Sequence, residues 1–155
     1  LSGVAWGAPN KFKATLDGYE EDPLALSTTG TGTFRAKIDD AAQEVTYELF
    51  YSSLEGTITQ AHIHLGNRSQ SGGIIVFLCT NLGNGPVGTQ ACPAAPATVT
   101  GTLRPADVIG PAGQGITAGQ WDEFVAAMRE GSTYVNVHST LYPGGEIRAP
   151  LGKRK

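Results

Sequence analysis

The chain has 155 residues, one domain's worth, with 21 Gly, 9 Pro, only 16% charged residues and a net charge of −3 at pH 7. This turn-rich, weakly charged composition excludes a coiled coil, a charged helical bundle and a polar disordered chain. No apolar run approaches the ~20 residues that a membrane-spanning helix needs.

Residues 1–10 form an apolar N-terminal arm that carries Val4 and Trp6. Such an arm suits pairing with a protein partner or a second copy as an added strand, or docking on its own domain. The chain opens at Leu1 rather than Met, as expected where a signal peptide has been removed or left out. The first strand is expected at Lys11 to Leu16, where Phe12, Ala14 and Leu16 alternate with Lys11, Lys13 and Thr15. An acidic stretch, Asp17-Gly18-Tyr19-Glu20-Glu21-Asp22-Pro23, follows. It lacks EF-hand spacing for Ca²⁺ and reads as a solvated loop.

Gly30 to Ile38 alternates again and ends at the turn pair Asp39-Asp40. Val45, Tyr47, Leu49 and Tyr51 mark a third strand, and Ile58 to Leu65 a fourth. Ile74 to Cys79 is a continuous apolar run, and Thr98 to Leu103, Tyr134 to Ser139 and Gly145 to Leu151 complete the set. Short strands divided by turn residues imply an all-β fold, a Greek-key-like antiparallel β-sandwich of about 7–9 strands. One short amphipathic helix is expected over residues 118–130. Thr117 and Gln120 have capping-box spacing, Trp121, Phe124, Val125 and Met128 recur at helical spacing, and Gly131 is placed to end it. The domain then spans residues 11–151, with a basic tail at 152–155.

Without Lys153, Arg154 and Lys155 the body keeps 8 basic residues against 14 acidic, and no basic cluster stands out along the sequence. No nucleic-acid partner is therefore expected. Cys79 and Cys92 bracket a Gly-, Asn- and Pro-rich loop and lack the second pair of a zinc site. A disulfide is the simplest reading and implies a secreted, periplasmic or cell-surface protein. Asn67-Arg68-Ser69 is an N-glycosylation sequon, meaningful in a eukaryotic secretory setting.

The chemistry concentrates on the histidines. His62 and His64 are two apart in a strand and so share a face with Gln60, opposite Ala61, Ile63 and Leu65. By the same alternation His138 shares a face with Asn136 and Tyr134, and Glu146 and Arg148 flank an inward Ile147. Two readings follow. His62, His64 and His138 form a three-nitrogen site for copper or zinc. Alternatively they form a hydrogen-bonded network held in place by Gln60, Asn136, Glu146 and Arg148. No nucleophile elbow, phosphate loop or carboxylate pair is recognisable, so no catalytic residue is assigned.

Several segments, in order, resemble the CHRD (chordin) domain family. They are Leu16-Asp17-Gly18 with Glu20 to Pro23, and Ala61-His62-Ile63-His64 with Gly66 and Gly72-Gly73. Val99 to Leu103 with Ala106-Asp107-Val108 follows, then Tyr134 to Ser139, then Pro143 to Arg148. Asp22 stands where the family usually has a second proline, and Ala149 where it usually has glycine. The resemblance implies an extracytoplasmic domain of this fold, and the low charge with many Thr and Ser residues suits a non-catalytic module acting in protein binding or assembly. It also places all three histidines inside family motifs.

Overall fold

The computed structural model describes residues 9–152. Val4 and Trp6 of the arm, and the basic residues of the tail, lie outside the described residues. The chain forms β1 (Lys11–Leu16), β2 (Thr31–Asp39), β3 (Glu44–Ser52), β4 (Ile58–Leu65), β5 (Ile74–Thr80) and β6 (Ala97–Leu103). Helix α1 (Trp121–Arg129), β7 (Thr133–Ser139) and β8 (Ile147–Leu151) follow.

The strands make two four-stranded antiparallel sheets, ordered β1-β2-β3-β6 and β5-β4-β7-β8. The non-sequential pairings, β3 with β6 and β4 with β7, are the crossovers of a Greek-key sandwich. Strict alternation drives the first sheet. In β2, Phe34, Ala36 and Ile38 are buried while Thr33, Arg35 and Lys37 are exposed. Facing residues of the second sheet, including Ile63, Val135, Val137 and Ile147, close the core. Asp17 and Arg148 exchange backbone hydrogen bonds of 3.3 and 3.0 Å, which ties β1 to β8 across the sheet edges.

Helix α1 starts three residues later than the spacing predicts. Gln120 turns its side chain back to the Thr117 N–H at 2.7 Å, and Gly119 takes a left-handed conformation, so this turn precedes the helix instead of opening it. The buried stripe of Trp121, Phe124, Val125 and Met128 is the expected one. The last strand also begins later, at Ile147, because Tyr142 to Gly145 forms a hydrogen-bonded turn.

The absence of a basic cluster needs correction. Register places Lys11 opposite Lys37 and Lys13 opposite Arg35, all on the exposed face of the first sheet. Strand alternation hides such a cluster in a linear reading, because it is assembled from two separate windows.

Cys79 and Cys92 form a disulfide that staples the loop after β5. Closing a loop of this length contributes about 3 kcal/mol through the unfolded chain. The Cys79→Ser/Cys92→Ser variant is expected to lose about 2–4 kcal/mol in urea unfolding relative to the oxidised protein.

Candidate metal centre

Strand β7 is buried along its whole length, including Tyr134, Asn136 and His138, which point away from the sandwich core. The outer face of the second sheet is therefore dry, unlike that of the first. Three loops supply its cover, around residues 17–29, 66–73 and 140–146, as the contacts below trace. A buried polar group costs free energy unless it is hydrogen-bonded, and most of this face is.

His62, His64 and His138 come together here, with exposures of 1%, 7% and 7%. One nitrogen from each ring lies within 4.8 Å of the others. His62 Nδ1 is 3.2 Å from His138 Nε2. The far nitrogens are held by fixed partners. His64 Nδ1–H donates to the Gly72 carbonyl at 2.9 Å, and His138 Nδ1–H to the Pro143 carbonyl at 2.9 Å. Those bonds leave Nε2 of both rings with a lone pair. His64 Nε2 is buried and has no hydrogen-bond partner. His62 Nε2 faces the Gln60 side-chain oxygen at 3.1 Å, which also accepts from Asn84 Nδ2 at 2.9 Å. That oxygen calls for a proton on Nε2, and Nδ1 of His62 then also carries a lone pair.

All three rings are neutral near pH 7. Burial pushes His62 down to about 2, with the neighbouring His138 and His64 adding to it, and pushes His64 down to about 4. Burial likewise lowers His138. Three lone pairs thus converge on one dry point, two of them only 3.2 Å apart.

The expected supports act in different ways. Gln60 touches His62 directly. Arg148 touches no imidazole. Its guanidinium lies 3.5 Å above the Tyr134 ring, and Tyr134 stacks parallel on His64 at 4.8 Å. Arg148 also donates to the carbonyls of Asn67 and Gln70, fastening the loop that offers Gly72 to His64. A side chain at Gly72 would run into the Leu65 backbone, so glycine is required for that approach. Asn67 serves as a turn residue here, with a buried side-chain oxygen.

Glu146 does not hold the histidines. Its buried carboxylate accepts from Glu55 N, Gly56 N, Ser139 Oγ and Thr28 Oγ1 at 2.8–3.3 Å, clamping three loops together. Asn136 donates to Glu21 Oε1 at 2.6 Å and to the Ile147 carbonyl at 2.9 Å.

Glu21 is the residue that sequence reasoning missed. It belongs to the acidic stretch read as solvated, yet it is buried, and burial raises its carboxyl to about 7 despite Asn136 and Arg148. Asp17 explains the placement. Its side chain caps Tyr19 N and Glu20 N, folding the stretch into a short turn that aims Glu21 inward. Only its place in the Glu20-to-Pro23 motif hinted at a special role.

The CHRD domain family model matches residues 12–151. The chain belongs to the CHRD domain family. The match includes β1 from Phe12 onward, every later strand, the helix and all three histidines. No curated protein and no solved structure matches the chain. Membership in the CHRD family and the disulfide both point to an extracellular-type setting. No helix among the described residues is long and apolar enough to cross a membrane.

Linkage sets a pH test for this CHRD domain. Glu21 has a folded value raised from 4.5 to about 7. Its neutral form is favoured in the fold, so its contribution is full below pH 4.5 and lost as pH rises through 7. Glu21→Gln removes that loss. The variant is expected to match the wild type at pH 4 and to exceed it by up to about 3 kcal/mol at pH 8, measured by urea unfolding.

Proposed function

We propose that this CHRD domain is a non-catalytic extracytoplasmic module that holds one copper ion, in the Cu(I) state, on His62, His64 and His138. The observation that carries this reading is the convergence of three imidazole lone pairs, one of them on the buried and unpartnered His64 Nε2. Neutral imidazoles bonded through their second nitrogen are good metal ligands, since the outer bond fixes both tautomer and ring orientation. Gly72 and Pro143 supply such outer bonds. For three nitrogens at ~2.0 Å from a shared ion, the mutual spacing is about 3.5 Å. His62 and His138 are already near it, and the third ring has to close by roughly 1 Å.

Charge and coordination number favour Cu(I) over zinc. Among the described residues no carboxylate joins the donor group, and the nearest charge along the stack is the cationic Arg148. A divalent ion would bring two uncompensated charges into a dry site, and the cost of burial rises steeply with charge. Zinc also takes a fourth ligand and Cu(II) a tetragonal set. A monovalent ion content with three nitrogens fits the donors at hand. The near-complete burial of the rings supports a holding role over a catalytic one. The protein-pairing arm with Val4 and Trp6 lies outside the described residues, so the metal reading rests on the better observation.

Anaerobic titration of the purified protein with Cu(I) against a chromophoric chelator tests this. One equivalent is expected to bind, to be lost in His64→Ala, and to outcompete Zn²⁺ by at least about 100-fold. Absence of both metals overturns the metal reading, and a preference for zinc overturns the assignment to copper.

A further inference from the structure

We infer that the exposed face of the first sheet is a docking surface for an anionic polysaccharide outside the cell. The inference is independent of the histidine site. It starts from the fate of the charged side chains. Arg68, Arg104 and Arg129 are ion-paired with Glu20, Glu44 and Asp40. Arg148 is stacked on Tyr134. The remaining cations of the described residues, Lys11, Lys13, Arg35 and Lys37, form no ion pair there, and all four lie together on β1 and β2.

Their placement is unfavourable for the free protein. Lys11 opposes Lys37 and Lys13 opposes Arg35 in register. Opposed side chains in an antiparallel pair stand about 5 Å apart at Cβ, and neighbours on one face of a strand about 7 Å apart. Like charges directly opposite each other destabilise a sheet. Elsewhere among the described residues the cations are ion-paired or stacked, whereas this square of four positive charges has a single carboxylate, Glu48, beside it, and an anionic ligand would relieve the excess. An open trough crosses the square, lined by these four cations with Thr46, Thr100 and one carboxylate, Glu48, which stands opposite Arg35 on β3 without forming an ion pair.

The surrounding chemistry selects the class of anion. The face continues through exposed Thr31, Thr33 and Thr98, hydroxyls set around the half-buried Phe50 beside the cations. Hydroxyls and cations suit a chain that carries both hydroxyl and sulfate or carboxylate groups. A lipid surface calls for large apolar side chains to insert, and a nucleic-acid strand for aromatic platforms. The exposed large hydrophobics Tyr19, Leu24, Leu82, Val87, Ile109 and Leu141 all lie off this sheet, and the one aromatic of this face among the described residues, Phe50, is half-buried. A second copy is a poorer fit as well, because the acidic turn that would face the cations is engaged internally through Asp17, Glu20, Glu21 and Asp22. The extracellular-type setting places polysaccharide within reach.

The test uses the full chain with dextran sulfate as probe, neutral dextran and phosphatidylglycerol vesicles as comparisons, and two variants that remove equal charge. Wild-type protein is expected to bind dextran sulfate at low salt, to release it as NaCl rises, and to ignore neutral dextran. Lys13→Gln/Arg35→Gln is expected to weaken binding at least about fivefold, with a smaller dependence on salt. Arg68→Gln/Arg104→Gln is expected to change it less than about twofold, since those charges lie off the trough. The first variant touches only exposed side chains, so its thermal midpoint should stay close to that of the wild type. Failure of the wild type to bind dextran sulfate overturns the inference. So does equal weakening in both variants, and so does binding to the vesicles without binding to dextran sulfate.

Discussion

A polar strand face removed from water has to find a partner for each nitrogen and oxygen it carries, and the β4–β7 pair presents such a face at the centre of its sheet. Much of the architecture answers that demand. The loop at 66–73 offers the Gly72 carbonyl to His64, and the loop at 140–146 offers the Pro143 carbonyl to His138. The acidic turn after β1 delivers Glu21 to Asn136. Gly145, at a positive φ, passes so close to Asn136 and Glu21 that a side chain would strike both at 2.6–2.7 Å. Loops that look like connections along the chain are thus structural lids over one face.

The two outer faces of the sandwich have opposite fates. That of the second sheet is covered, and burial drives its three imidazoles and Glu21 towards neutrality. That of the first is open and carries threonines, Glu48 and four cations without ion pairs among the described residues. The same period-2 alternation builds both. What differs is whether a loop returns over the strand. Chemistry that needs low dielectric belongs on the covered face, and contact with a large charged partner belongs on the open one.

Neutrality gives the histidine cluster its character. Three imidazoles this close cannot all charge, and their outer hydrogen bonds leave donor pairs facing inward. The charged groups nearby are kept one layer away. Arg148 reaches His64 only through Tyr134, and Glu146 is consumed by backbone N–H groups and hydroxyls. Glu21, itself pushed towards neutrality, completes a site in which burial dominates over charge pairing.

Much of the fold was legible in the sequence, because alternation and turn residues act over a few positions. Phe34, Ala36 and Ile38, the Trp121 to Met128 stripe, and the pairing of His62 with His64 on one face are all local consequences of period. The family resemblance rested on the same ordered motifs and placed all three histidines within them. The partners of those histidines were not legible. Gly72 and Pro143 act through backbone carbonyls, which leave no mark on residue type, and Glu21 sits in a stretch whose composition reads as solvated. The four cations on β1 and β2 come from windows more than 20 residues apart and meet only through register. The sequence by itself therefore determined the strands, the helix, the disulfide and the faces on which the imidazoles lie. Only the tertiary structure decided which faces meet, which of them is dry and which charges are left unpaired, because strand order and loop cover depend on contacts between residues far apart in the chain.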